Sequence, residues 1–234
     1  MSVFALDALD LAALLCSRVC HDVISPVGAI VNGLEVLEDE KDADMRAFAV
    51  DLIKKSAKTA SARLQFCRLA FGAAGSAGAS IDTGDAEQVT RNLIGDDRTK
   101  LDWKAARVLL PKNKVKMTLN LCLIATAAIP RGGVITVNIE GQDDATVITV
   151  TAKGVNPRVA HGVAALLSGA PETETVDAHG IQAYYTFLVA RACGLTITVD
   201  ANAEGVTLIA APTAMAETAA PTIEAAPPAD EAAA

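Results

Sequence analysis

His21 and Asp22 are adjacent, and they form the pair in this sequence best suited to group-transfer chemistry. A neutral imidazole is a nucleophile near pH 7. A carboxylate beside it can orient the ring or favour its reactive tautomer. The pair lies inside the long helical pattern around Ser17–Ala29. At helical spacing Cys16, Val19, Cys20, Val23, Val27, Ile30, Val31, Leu34 and Leu37 share one broad apolar face. Arg18, His21, Asp22, Ser25, Gly28, Ala29, Asn32 and Glu35 share the other. His21 is therefore expected to point outward, in a polar or small-sided patch that another protein could approach closely. Taken alone, an exposed histidine is an ordinary surface residue. Pro26 sets this one apart. A proline inside a helix removes the hydrogen bond to the carbonyl four residues back, that of Asp22, and costs roughly 3 kcal/mol. Such a cost, five residues beyond the histidine, suggests a helix bent for a purpose.

The other chemistry-bearing residues form weaker patterns. Cys16 and Cys20 are one helical turn apart and near His21 in sequence, but they fall toward the apolar face and His21 away from it, so no metal site is expected. His161 and His179 have no partnering pattern. No paired carboxylates, Gly-x-Ser-x-Gly elbow or intact phosphate loop is present. The 20 basic against 28 acidic residues give a net charge of -8, which argues against a nucleic-acid partner. The five scattered cysteines read as reduced thiols of a cytosolic protein. The first residues carry no basic segment of the secretory kind, and the apolar run Met117 to Pro130 is too short to span a bilayer. These observations predict a soluble, cytoplasmic chain with no membrane partner.

A hairpin of two long helices, Leu6 to Glu38 and Met45 to Phe71, is expected to carry the pair, with the turn at Glu38–Asp44 and Asp42 or Asp44 as the second N-cap. Two antiparallel helices alone cannot bury their apolar stripes. Pairing two hairpins into a four-helix bundle would do so, which predicts a homodimer with one His21 on each side. The alternative is a hairpin packed on the rest of its own chain. Small residues at 74–82 read as a linker. Beyond them the pattern predicts helices at Asp85–Ile94, Lys112–Ile129, Pro157–Leu167 and Ala178–Cys193. Short strands are expected at Lys100–Trp103 and Arg107–Leu110, and hairpin strands at Val134–Glu140 with Thr146–Ala152 and at Leu195–Asp200 with Gly205–Ala210. The class is α+β: a helical hairpin at 1–73, then an α/β sandwich at 83–211. Residues 212–234, rich in Ala, Pro, Thr and Glu, read as a disordered tail.

His21-Asp22-Val23-Ile24-Ser25-Pro26-Val27 resembles the H-box of sensor histidine kinases. His21 matches the phospho-accepting histidine, Asp22 the adjacent acid, Ser25 the hydroxyl position and Pro26 the kinking proline. The whole chain is similar to the ChpT-type histidine phosphotransferases of alphaproteobacterial phosphorelays, which look like kinases whose ATP-binding domain has decayed. The second domain resembles a degenerate ATPase domain of histidine kinases. Leu119–Ala125 and Pro130–Val137 look like its N-box helix and following strand, but the Mg²⁺-binding asparagine falls on Ile124, which offers no oxygen to a hard cation. The adenine-binding aspartate falls on Ala152 and the next glycine on Asn156. The phosphate lid resembles His179–Tyr184 with one glycine, and Tyr184 and Tyr185 would crowd the phosphates.

The resemblance implies a homodimeric phosphotransferase that relays a phosphoryl group, by way of phosphohistidine at His21, between receiver domains of a hybrid kinase and of response regulators. Asp22 would orient the ring. Arg18 would steady phosphate charge or an acidic receiver residue, and Ser25, Gly28, Ala29 and Asn32 would form the docking floor. The chain would need no cofactor of its own, the receiver bringing its Mg²⁺. The rival readings are a working ATP-dependent histidine kinase and a dimeric scaffold that binds receivers without accepting phosphate.

Overall fold

A computed structural model describes residues 5–72, 79–95, 98–171 and 175–213. Residues 74–78 of the expected linker at 74–82, and residues 214–234 of the expected tail at 212–234, lie outside the described residues.

Helix α1 (Ala8–Asp39) starts at Asp7, whose carboxylate accepts the Leu9 N–H. It runs on unbroken through Pro26. Helix α2 (Ala43–Ala70) starts at Asp42, which accepts the N–H groups of Asp44 and Met45 and so meets two of the free donors of a helix N-terminus. At the far end of α1, Arg46 donates to the carbonyls of Leu37 and Glu40. The two helices cross closely at Gly33: a Cβ there would stand 2.7 Å from Ile53 Cγ1.

The remainder is a two-layer body. A short ribbon of β1 (Ser80–Asp82) and β3 (Leu109–Pro111) leads into helix α3 (Thr83–Ile94). The main sheet holds β2 (Thr99–Trp103), β4 (Gly133–Glu140), β5 (Val147–Gly154), β7 (Val206–Pro212) and β6 (Leu195–Ala201), in the order β2-β4-β5-β7-β6. Only β2 and β4 run parallel; the other pairs are antiparallel. Alternate residues Ile135, Val137, Ile148, Val150, Ala152, Val206, Leu208 and Ala210 are buried together with Met117, Leu121, Ala125 and Ala128 of α4 (Lys112–Ala128). Thr136, Thr149, Thr151 and Thr207 take the half-covered opposite face, the period-2 pattern of a sheet covered on one side. Helix α4 is buried nearly all round, as its apolar sequence requires. The sheet covers one side of it, and α2 and α3 cover the other.

The mixed helix and sheet content matches the α+β expectation, with three local differences. The expected helix Pro157–Leu167 shrinks to α5 (Val163–Leu167). Pro157 has no N–H to give, Arg158 donates its N–H to Ala128 O at the end of α4, and Gly162 turns the chain at φ 77° just before the helix. The expected helix at Ala178 begins instead at Ile181, as α6 (Ile181–Ala192), because Asp177 Oδ1 accepts the N–H groups of His179 and Gly180 and holds them in a turn. Strand β1 has no expected counterpart; three residues beside a small-residue run carry too little pattern.

The hairpin is fastened to the body twice. Phe66, Leu69 and Ala70 of α2 pack with Ala86, Val89, Leu110, Val115 and Leu119. Asn120, fully buried on α4, donates to Ala70 O and so caps the end of α2, while its Oδ1 accepts from Gln182 Nε2 at 2.6 Å. On the other side Leu6, Leu11, Leu14 and Leu15 pack on Val176, Ile181 and Tyr184, and the Leu6 N–H donates to the Tyr184 hydroxyl at 3.0 Å. Packing on its own chain thus covers the base of the hairpin. It does not cover Ile24, Val27, Val31 and Leu34 of α1 or Met45, Phe48 and Leu64 of α2, all exposed. The broad apolar face expected on α1 is therefore two faces. Val19, Val23, Ile30 and Leu37 turn inward with Pro26 and Gly33, whereas Cys16, Cys20, Val27, Val31 and Leu34 stand open.

Candidate functional site

The His21 side chain is 85% exposed, midway along α1. Its Nδ1 stands 3.6 Å from Asp22 Oδ1. The other carboxylate oxygen of Asp22 accepts from Arg18 Nε at 3.1 Å, one turn back on the helix. From α2, Arg63 donates to the main-chain carbonyl of Asp22. The imidazole thus stands free, with a fixed carboxylate on its Nδ1 side. An acid held there favours the tautomer with the proton on Nδ1, which leaves Nε2 as the outward nucleophile.

Ser25, Gly28 and Asn32 continue from His21 at helical spacing, and all are exposed; Ala29 is half-buried beside them. Around Gly28 an added Cβ would meet nothing within 4 Å. This ridge is small-sided and open, as the spacing predicted.

Arg18 and Asp22 depart from expectation. Both were placed on the outward face, yet each is only 29% exposed. A helical wheel has no way to show that α2 and the body approach from two directions, and these two side chains sit where both neighbours close in. Asp22 lies with Arg63, Phe66, Cys67 and Leu123 around a groove of about 440 Å³ between hairpin and body. Burial pushes the Cys67 thiol up to about 11, and the negative charge of Asp22 adds to that. Arg18 reaches into a second cavity of about 220 Å³, lined also by Ile124, Ala128, Arg158, His179 and Gln182. Arg63 escaped notice in the sequence, where it looks like one more cation on a lysine-rich helix. The signal that finds it is the proline: with no N–H on Pro26, the carbonyl of Asp22 needs a donor from elsewhere.

Of the positions that resemble a nucleotide site, Ile124 and His179 line the 220 Å³ cavity, and Ala152 does not. Ile124 is on its wall and Ala152 is buried in the sheet. Neither side chain has an oxygen for a metal or for an adenine amino group, so the residues here do not fit a magnesium nucleotide. The two tyrosines do not crowd this cavity. Tyr184 is 2% exposed under the start of α1, and Tyr185 packs on the Phe71 ring, with centroids 5.5 Å apart. Among the described residues no group of three or more His, Cys, Asp and Glu side chains could hold a metal ion. Cys16 and Cys20 are exposed, and a hydrogen bond between the two side chains raises the Cys20 thiol.

Comparison with known proteins places this geometry. Residues 83–205 match the family described as the histidine phosphotransferase C-terminal domain. Protein phosphotransferase ChpT of Brucella abortus (strain 2308) is 55% identical over 201 residues, which is 86% of this chain and 95% of that protein. The chain belongs to the ChpT-type histidine phosphotransferase family. A solved bacterial phosphotransferase, at 1.7 Å, is 50% identical and superposes with a TM-score of 0.81 over 90% of this chain and all of that one. The ChpT-type function, histidine phosphotransfer in a phosphorelay, accords with an exposed imidazole on a helix ridge. The matched family segment covers the body; the hairpin with His21 precedes it.

Proposed function

We propose that His21 is the phosphoryl carrier of this phosphotransferase. A phosphorylated receiver docks on the ridge of Ser25, Gly28, Ala29 and Asn32. Nε2 of His21 attacks the phosphorus of the aspartyl phosphate in line; the N–P bond forms as the bond from phosphorus to the carboxylate oxygen breaks, and the receiver aspartate leaves as carboxylate. A second receiver aspartate then takes the group by the reverse step. Such transfer needs positioning and charge neutralisation above all. Asp22 holds the ring, Arg18 holds Asp22, and magnesium chemistry belongs to the receiver. The observation that carries this reading is the 85% exposed imidazole paired on one side with an anchored carboxylate.

The open apolar residues Ile24, Val27, Val31 and Leu34 on α1, with Phe48 and Leu64 on α2, support a homodimer. They also account for the composition of α1, which is apolar enough by length and hydropathy to pass for a membrane span. One apolar side meets α2 and the other would meet a second copy. A soluble cytoplasmic protein is the reading that fits both. Val31→Glu should halve the mass seen by sedimentation; a variant that stays dimeric moves the interface elsewhere.

The direct test is exposure to a receiver phosphorylated by acetyl phosphate. Intact mass should rise by one phosphate, in an acid-labile linkage. No mass change would leave the scaffold reading standing. Labelling by ATP alone would instead establish the kinase reading, which the missing oxygens at Ile124 and Ala152 disfavour.

A further inference from the structure

An α-helix gives each carbonyl to the N–H four residues on. In α1 the carbonyl of Asp22 should pair with the N–H of residue 26, and residue 26 is proline. The carbonyl next to the reactive histidine is therefore the one that the helix itself leaves without a donor. Pro26 is buried, so bulk water is no ready substitute on this side. The structure fills the gap from the other helix: Arg63, 41 residues away on α2, donates Nη1–H to Asp22 O. The same residue is held a second time through its side chain, by Arg18 at 3.1 Å. Asp22 is thus gripped by two guanidinium groups, one on its main chain and one on its carboxylate, and its remaining oxygen faces His21 Nδ1.

We infer that Arg63 is a positioning residue for phosphoryl transfer: it supplies the hydrogen bond that Pro26 denies to Asp22, and so locks the main chain beneath His21 to α2. Proline and arginine form one device. The proline frees an acceptor at a chosen place in a long helix, and the arginine uses that acceptor as a tether. On the same helix Arg46 also donates to main-chain carbonyls, those of Leu37 and Glu40, but Leu37 lies in the last turn of α1 and Glu40 at its end; Arg63 does so in mid-helix, beside His21. The inference deepens the reading of His21 as carrier and rests on it for the rate it affects, though the tether itself can be measured without any transfer.

The test is a double-mutant cycle. Arg63→Met should slow phosphohistidine formation at saturating phosphorylated receiver by roughly ten- to a hundredfold, the scale expected when a reacting group loses its alignment. Receiver affinity should stay the same. Arg63→Lys, which keeps one donor, should recover part of the rate. Pro26→Ala returns an N–H to the helix, so in that background Arg63→Met should cost much less. In the unphosphorylated protein the carbonyl ¹³C resonance of Asp22 should move on Arg63→Met and return when Pro26→Ala is added. An unmoved resonance, or a double variant as slow as the two single losses multiplied, overturns the inference. If the natural sequence takes no phosphate on His21, the carrier reading fails, and the ¹³C measurement still decides the tether.

Discussion

Hairpin and body handle reactivity in opposite ways. In the hairpin the proposed carrier stands in the open and the groups beside it are tucked behind: the His21 side chain is 85% exposed, while Arg18 and Asp22 are 29% exposed and Pro26 is buried. In the body the places that resemble a nucleotide site hold Ile124 and Ala152, and nearby polar residues of α4 and α6 serve to join elements. Asn120 caps α2 and binds Gln182, and Tyr184 receives the Leu6 N–H. The contrast teaches that fold and chemistry can be kept separately. On the proposed reading, a protein that only carries a phosphoryl group needs a presented nucleophile and a firm support, and the support need offer no chemistry of its own.

Experiments that break this contrast can be ranked by size. His21→Ala should abolish phosphate acceptance with no change in melting temperature, because an exposed side chain with no buried contact leaves the fold untouched; retained acceptance would move the site. Phe66→Ala strikes the joint between the two regions. Its ring is 1% exposed in the shared cluster, so denaturant unfolding should show a loss of about 3–5 kcal/mol. Gly28→Leu should leave the chain as stable or slightly more so, by up to about 1 kcal/mol from helix propensity, since the site is open. Titration calorimetry should nevertheless show receiver binding weakened by roughly tenfold, a loss of about 1.4 kcal/mol. Unchanged affinity would remove Gly28 from the docking ridge. Smallest of all, Ile124→Asn should confer no measurable ATP binding by the same method, because one oxygen does not replace the carboxylate absent at Ala152. Binding restored by that single change would mean the body is far less worn than its side chains indicate.

His21, Pro26 and the open ridge of Ser25, Gly28 and Asn32 were legible in the sequence because they belong to one helix, where spacing alone fixes neighbours. The helix pairs and strand hairpins were legible for the same reason: their partners are close along the chain. What escaped was set by distant segments. The inward turn of Arg18 and Asp22 depends on α2 and the body, and Arg63 meets Asp22 across 41 residues. The place of Tyr184 under α1 depends on the first residues of the chain. The segment 157–162 kept a helical look in sequence but was claimed by the end of α4 through Arg158. Each miss is a local preference overruled by a neighbour that no window of sequence contains.

The link from Leu6 to Tyr184, together with the leucines that follow it, ties down the front end of α1, and Phe66 ties down the back of α2. A hairpin held at its base through both of its helices is not free to swivel on the body. On the reading proposed above, donor and acceptor receivers would therefore meet one and the same surface, in turn and never together on a single histidine. Little ordering entropy is left to spend at each encounter. On that reading the direction of traffic would follow from which visiting aspartate arrives loaded.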